Sequence, residues 1–477
     1  MSALFARRRA RLGPFATSRT RGLHTGGATP LHTRQFAESI TGAVPRDARA
    51  AVPGFTVMKK PDLVVSRLGF GAYRTRNDVG EHAKALKLAI QSGVNVIDTS
   101  GHFENGSSEE MIGAVLNDVL SGGTVRREAL VLITKAGYMS GRSFEGASAF
   151  ERAIMSDNVA HSLASAFLER EIGASLDRLG VEKVDVLMLN NPERMVAGRD
   201  KRHTPDHIDL LRILNFSSEA FKKNFSSVEY PLNLFEAEAL DQDFDGSPAL
   251  VDVAQFTHRA LNSIANGQIR PLLTRFDVRI EDEPRVAETL TKSFESVAEL
   301  ESNLVDQLGD DSAATAILAK FVWAQVLGDN LSRLTDNPFT VRYYLEKQVL
   351  PAIDADLTAL ETIGDSTLPA GWAEEYRKQT RLLSKSIIQL SFLSLLRANL
   401  NLASVLASVA PEAIGRDDQL AVTAARMSAA AVGSDGGSVL VGMRKSEYVT
   451  ELVDGVMRRP GLTEEQVDAV RDAAKHA

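Results

Sequence analysis

The sequence predicts an α/β fold: a parallel sheet covered by helices on both faces, continued by a long and almost purely helical stretch. Three observations carry this. From about residue 63 to 191, short apolar runs alternate with amphipathic helical periodicity. Those runs lack the polar alternation of a half-solvated strand, as expected of strands buried on both sides. From about 281 to 425, apolar residues recur at three and four, so each segment has one face to bury.

The elements follow in order. "SRLGFGAY" reads as a strand, "EHAKALKLAIQSG" as a helix, "VNVIDTS" as a strand and "SEEMIGAVLNDVLSGG" as a helix. Then come the strand "ALVLITKAG", the helix "SLASAFLEREIGASLDRLG" and the strand "VDVLMLNN". The helices run out at Gly93, Gly122 and Gly180, where left-handed caps are expected. After Asn191, "HIDLLRILNFS", "SSVEYPLNLFE" and "IRPLLTRFDV" read as three further strands, with a helix, "PALVDVAQFTHRALNSIANG", between the last two. The helical stretch includes "RYYLEKQVLPAIDADLTALETI" and "YRKQTRLLSKSIIQLSFLSLLRANLNLASVLASVA", with Trp323 and Trp372 as core or contact residues. "GGSVLVGM" supplies a last strand and a helix closes the chain. Periodicity alone leaves open both a closed eight-fold barrel and an open doubly wound sheet. No GxGxxG follows the first strand, which weakens the open dinucleotide-binding form.

Composition narrows the function classes. The chain of 477 residues is 44% hydrophobic and 24% charged, ordinary for a soluble protein with ample core. It contains no cysteine, which excludes disulfides, thiolate nucleophiles and Cys-ligated metals. Its nine histidines show no HExxH or HxH spacing, so no metal site is expected. No uncharged apolar run reaches the ~18 residues of a membrane span; "SIIQLSFLSLL" stops at Arg397.

The N-terminus differs in kind. Residues 1–34 hold seven arginines, and no acid precedes Glu38. An Arg- and Ser-rich segment without acids reads as a mitochondrial transit peptide, so the expected location is the mitochondrial matrix. Without those seven arginines the formal charge of −8 becomes −15. An acidic body of that kind argues against nucleic acid or an anionic membrane as partner.

The segments "LGFGAYR", "GVNVIDTS…NGSSEEMIG", "VLITKAG", "DVLMLNNPE", "LNFSSEAF", "VEYPLNLFE" and "VLVGMRKSEYV" resemble the aldo-keto reductases, in that family's order and near its spacing. The resemblance covers residues 63–278 and 416–460. It implies a (β/α)8 TIM-type barrel with its site at the C-terminal ends of the strands. The helical periodicity over 281–425 adds a large all-α insertion before the last strand, without counterpart in compact members. The expected organisation is a targeting or disordered segment over 1–50 and the first seven strands over 54–280. A helical insert over 281–425 and the last strand with its helix over 426–477 complete it. The resemblance also implies NADPH as cofactor and hydride transfer to a carbonyl, with a Tyr as proton donor, a Lys–Asp pair beneath it and a His orienting the carbonyl.

Carried over residue by residue, the Asp is Asp98 and the Lys is Lys135. The Tyr position falls on Phe103 and the His position on Asn190. Phenylalanine keeps the ring and has no proton to give. Asn190 can donate a hydrogen bond and cannot titrate. His102 and Tyr138 are the nearby groups able to substitute, His102 having the apt unperturbed pKa. Asp98 and Lys135 have two readings: residual function such as cofactor contact, or a structural buried pair in which removing one partner strands the other's charge. For the cofactor, the family's Ser-Asn after the fifth strand falls on Leu214 and Asn215. Gly442, Arg444 and Lys445 fall where it grips the adenosine 2′-phosphate.

Two functions compete. In the first, the chain is a degenerate reductase of structural or regulatory use, docking protein partners through its helical insert within a larger assembly. In the second, it is an active NAD(P)H-dependent reductase of a small aldehyde, ketone or sugar, with a rearranged proton donor. A helical adaptor with an idle barrel has little specific support.

Overall fold

The computed structural model describes residues 24–42, 52–197, 210–241, 252–265, 268–308, 319–334, 337–362, 371–433 and 436–476. The chain divides into two compact units. The first comprises 1–229, 244–256 and 432–459, and the second 230–243, 257–431 and 460–477.

Seven strands form one sheet: β1 (Leu68–Gly71), β2 (Val96–Asp98), β3 (Val131–Ala136), β4 (Val186–Leu189), β5 (Ser227–Pro231), β6 (Ala254–His258) and β7 (Ser438–Val441). Their order is β5-β6-β7-β1-β2-β3-β4. The register is parallel where Val441 faces Phe70, Gly71 faces Asp98, Asp98 faces Ile133 and Lys135 faces Met188. Chain neighbours are sheet neighbours except β4 and β5, which stand at the two ends of the order, and the last strand lies beside the first. That cyclic order belongs to a sheet curling back on itself, the (β/α)8 barrel type, and not to an open doubly wound sheet. Every residue of β3 is buried, as is every residue of β1 and β7, which explains their unbroken apolar runs. Val96, Val131, Ile133, Val186, Phe256 and Leu440 meet in one core cluster.

Helices α1 (Gly80–Gln91), α2 (Ser107–Ser121) and α3 (Ser165–Leu179) follow β1, β2 and β3. Gly93 and Gly180 take the expected positive φ, 106° and 66°. After α2 the left-handed residue is Gly123 (φ 67°), while Gly122 remains right-handed at −74°. The helix simply runs one residue further.

Three sequence expectations fail between β4 and the helical stretch. The expected fifth strand, 207–217, is a helix from Leu210 to Phe216, named α4, in its described part. "LLRILNF" is leucine-rich with a single β-branched residue, a composition that favours helix over strand. The expected helix 248–267 instead contains β6 and the strand Asn262–Ala265. A left-handed Arg259 (φ 66°) reverses the chain between them. The expected strand 269–278 contributes only Gln268–Pro271, which pairs antiparallel with Asn262–Ala265 outside the barrel sheet. Residues 54–280 therefore give this sheet six strands among the described residues, where seven were expected.

The N-terminal stretch, set aside as targeting or disordered over 1–50, is folded from His24 to Gly42. Thr29 caps a helix over Pro30–Thr41, its side chain accepting from the His32 amide, and Gly42 closes it at φ 65°. Thr33 and Ala37 are fully buried. The Ala28 amide donates to Asp185 at 2.6 Å, the Val64 amide to Thr33 Oγ1 at 3.1 Å, and the His24 amide to the Gly180 carbonyl at 2.9 Å.

The second unit is nearly all helical. Glu283–Leu308, Pro338–Tyr344, Leu350–Thr362 and Trp372–Val409 enclose a core of Val286, Val297, Leu345, Leu383, Ile387 and Phe392. Trp372 and Tyr376 stack at 4.9 Å, both edge-on to Phe321, while Trp323 packs half-buried against the same cluster. Among the described residues, Trp372–Val409 is long and apolar enough to cross a membrane by length and composition. A search for uncharged runs alone does not single it out. Its buried residues sit in the helical core and, at Leu402 and Leu406, in a second cluster with Leu420 and Met427.

Candidate active site

Strand β2 delivers Asp98 to the end of the sheet, and the chain then turns sharply. Phe103 opens a short turn in which Glu104, Asn105 and Gly106 all take positive φ, 47°, 58° and 88°. Two non-glycine residues in that region store backbone strain, held only if their surroundings fix them. They are fixed. Asn105 Oδ1 accepts from the Arg142 amide at 2.9 Å. Ser108, in the first turn of α2, bonds Thr99 at 2.9 Å and Thr75 at 3.1 Å. Buried Glu109 receives Thr134 Oγ1 and Arg178 Nε, each at 2.6 Å. The loop is thus clamped to β1, β3 and α3, and the 102–103 pair is held rigidly over the barrel.

Below that loop lies a buried charge cluster. The Lys135 ammonium pairs with Asp98 Oδ1, and Glu229 Oε2 of β5 lies 3.2 Å from it. Asp98 and Lys135 are 4% and 7% exposed, so water screens them little. Burial pushes the Asp98 carboxyl up to about 7; Lys135 opposes that shift and Glu229 adds to it. Burial alone would lower the Lys135 pKa, but the two carboxylates outweigh it and raise it. One cation between two acids leaves the cluster one negative charge in excess, or one proton shared.

The Phe103 ring stands over this cluster, its centre 5.5 Å from Lys135 Nζ. Edge-to-face contacts with Tyr73 at 5.3 Å and His102 at 4.9 Å hold the ring. His102 in turn lies 4.8 Å from the Tyr138 ring, which meets His161 edge-on at 5.2 Å. His161 Nε2 donates to the Asn190 carbonyl at 2.6 Å, so its ring proton is assigned to that nitrogen. Gly137 permits this approach: at φ 151°, a Cβ there would lie 2.6 Å from His161 Nε2 and 2.7 Å from Asn190 O.

His102 is neutral at ordinary pH. Burial, then the charge of Lys135, then His161 bring its pKa down to about 4. Its Nδ1 lies 2.8 Å from Ser100 Oγ and 3.4 Å from the Asn190 side-chain amide. Ser100 Oγ also donates to the Lys135 carbonyl at 3.1 Å, so Nδ1 takes either role according to how the Ser100 hydroxyl and the Asn190 amide are turned.

The structure therefore brings Asp98, Lys135, Phe103, His102, Asn190 and Tyr138 into one constellation. It does not bring Asn215 there. Asn215 is exposed on α4 instead of ending a strand, while its neighbour Leu214 is buried against Val253. Gly442, Arg444 and Lys445 form the exposed turn after β7. Lys445 pairs with Glu447 at 3.4 Å. Glu229, Ser100 and His161 were missed by sequence reasoning. For Glu229 a signal existed: an acid inside "VEYP", in a sheet whose strands are buried on both faces. Among the described residues, no group of three or more His, Cys, Asp or Glu could hold a metal ion.

Residues 67–222 match the family model described as "Aldo/keto reductase family". Over 147 residues the chain is 31% identical to a D-threo-aldose 1-dehydrogenase from Pseudomonas sp, covering 28% of this chain and 42% of that protein. Over 146 residues it is 29% identical to a putative voltage-gated potassium channel subunit beta from Schizosaccharomyces pombe, covering 30% and 38%. The chain thus spans well under half the length of these curated relatives. Among solved structures, an aldo-keto reductase from Bacillus halodurans superposes with a TM-score of 0.43 at 13% identity, over 89% of this chain and 97% of that one.

Proposed function

We propose, from the match of residues 67–222 to the aldo/keto reductase family, that the chain is a degenerate mitochondrial reductase. The barrel has lost its proton donor and kept the buried charges beneath it. The observation that carries this reading is the phenyl ring of Phe103 over Lys135. Carbonyl reduction by hydride leaves an alkoxide that needs a proton from a group within hydrogen-bond reach. A phenyl ring offers none, and losing a general acid lowers rate by about two to four orders of magnitude.

Other features support the same reading. Glu229 gives Lys135 a second carboxylate and so weakens the field with which it would acidify a neighbouring phenol. Asn190 holds a hydrogen bond where an imidazole is expected, and α4 carries Asn215 away from a strand end. Lys135 persists for a structural reason: removing it strands the buried carboxylates of Asp98 and Glu229. A location in the mitochondrial matrix is supported by the acid-free, arginine-rich start of the chain. The helical second unit is its docking surface for protein partners in a larger assembly, and co-fractionation of the native protein with a large mitochondrial complex tests that role.

A second reading rests on His102. In the neutral tautomer that carries its proton on Nε2, it is a hydrogen-bond donor beside the vacant phenol position, able to polarise the carbonyl of a small aldehyde, ketone or sugar.

One experiment separates the two. The full chain is titrated with NADH and NADPH by fluorescence and assayed on a panel of aldehydes, alongside Phe103→Tyr/Asn190→His and His102→Ala. The degenerate reading expects wild-type turnover at least about 100-fold below the double variant. Wild-type turnover at an ordinary rate of about 1–10³ s⁻¹, abolished by His102→Ala, would establish the second reading instead.

A further inference from the structure

The resemblance implies a 2′-phosphate gripped at the turn after β7, and the residues present there do not fit one. Glu81, in the first turn of α1, reaches across to this turn. Its Oε1 accepts from the Ser446 amide at 3.0 Å and from the Ser446 hydroxyl at 2.8 Å. Those two bonds hold the Glu81 carboxyl below the usual carboxylate range, so it is an anion at neutral pH. The donors a phosphate would use are already committed to a carboxylate. Lys445, 3.4 Å from Glu447 and 5.4 Å from the Tyr448 ring, is likewise engaged. The turn that carries Arg444 and Lys445 thus also carries the carboxylates of Glu81 and Glu447, two formal positive charges and two negative ones. A phosphate monoester carries about −1.5 to −2 charges at pH 7 and needs a surplus of donors and positive charge.

We propose that this site excludes 2′-phosphorylated dinucleotides and takes the unphosphorylated class, NAD(H), with Glu81 as the residue that sets the preference. The chemistry is general. A carboxylate accepts a hydrogen bond from a ribose 2′-hydroxyl and repels a 2′-phosphate, whereas arginine does the reverse. The proposal rests on the reading that the barrel retains a dinucleotide site, and it is independent of whether turnover survives.

Equilibrium binding tests it without any catalysis. The full chain is titrated calorimetrically with NADH, NADPH, 5′-AMP and 2′,5′-ADP, and the series is repeated on Glu81→Gln, checked for folding by thermal melt. The expected result is at least tenfold tighter binding of NADH than of NADPH, with 5′-AMP likewise preferred to 2′,5′-ADP. Glu81→Gln should shrink both ratios by tenfold or more. Equal or tighter binding of NADPH by the wild type overturns the proposal, as does a ratio that Glu81→Gln leaves unchanged. Failure to bind either dinucleotide also overturns it, while the Phe103→Tyr/Asn190→His assay still judges the lost proton donor by itself. The wild-type ratio decides the matter even if the variant does not fold.

Discussion

Glu229 Oε2 lies 3.2 Å from Lys135 Nζ, so a single buried ammonium answers two acids, Glu229 and Asp98. The asymmetry makes the three residues unequal under mutation. Lys135→Met strands two carboxylates in a low-dielectric site and is expected to cost about 3–5 kcal/mol or more. Asp98→Asn leaves the Lys135–Glu229 pair intact and should cost much less. Urea unfolding at pH 7.5 measures both. A Lys135→Met protein as stable as the wild type would mean that the cluster is open to water.

The same cluster sets a pH dependence. The Asp98 carboxyl, pushed up to about 7, holds its proton in the folded chain over a range where the unfolded chain has released it. Its contribution is full below the ordinary carboxylate pKa and is lost as pH rises to about 7. His102 works in the opposite sense. Its pKa is brought down to about 4 from 6.5, so its contribution is present above 6.5 and is lost as pH falls through 4. The two windows overlap, so the opposing slopes offset between about pH 4 and 6.5, and urea midpoints should stay nearly level there before a slight decline to about 7. Asp98→Asn should uncover a rise with pH over that range, and His102→Gln a fall. A profile that Asp98→Asn leaves level would dissociate the carboxyl from this balance.

Much of the site was legible because its residues sit in short local patterns. Asp98 ends an apolar strand and Lys135 ends another, and neighbouring parallel strands bring their ends together. Phe103 follows from the same pattern. What sequence could not give is long-range. Glu81 and Ser446 lie 365 residues apart, and nothing in either segment announces the other. The stretch containing β6 misled for a different reason: its apolar residues fit both a helical and a strand period, and length did not arbitrate. The fifth strand misled because a short apolar run reads as a strand, against a leucine-rich composition that itself favours helix.

The folded N-terminal stretch has its own consequence. Thr33 and Ala37 are buried, and His24, Ala28 and Thr33 exchange hydrogen bonds with residues from Val64 to Asp185. Each such bond is worth about 0.5–1.5 kcal/mol, and the acceptors it leaves behind would be partly buried. On the proposal that the arginine-rich start is a mitochondrial leader, cleavage is expected before His24, leaving this stretch on the mature protein. Mass spectrometry of the native N-terminus reads the site directly. A mature chain beginning at or beyond Ala28 would contradict this docking. A chain truncated to start at residue 43 should melt at a lower temperature than the full chain.

Restoring the phenol offers a probe of the cluster that needs no substrate. In Phe103→Tyr the new ring occupies a position whose centre is 5.5 Å from Lys135 Nζ, close enough for the ammonium to favour phenolate. Glu229 opposes that effect, because its charge lies on the same ammonium and partly cancels it. Removing the Glu229 charge should therefore acidify the restored tyrosine. At an effective dielectric of about 20, a unit charge at this range is worth one pKa unit or more, about 1.4 kcal/mol per unit. Ultraviolet difference titration of Phe103→Tyr against Phe103→Tyr/Glu229→Gln, each referenced to its Phe103 parent, isolates the new phenol from the other tyrosines. The double variant should ionise at lower pH. Identical titration midpoints would mean that the Glu229 charge does not temper the field at the ring, and Glu229 would drop out of the support for the degenerate reading.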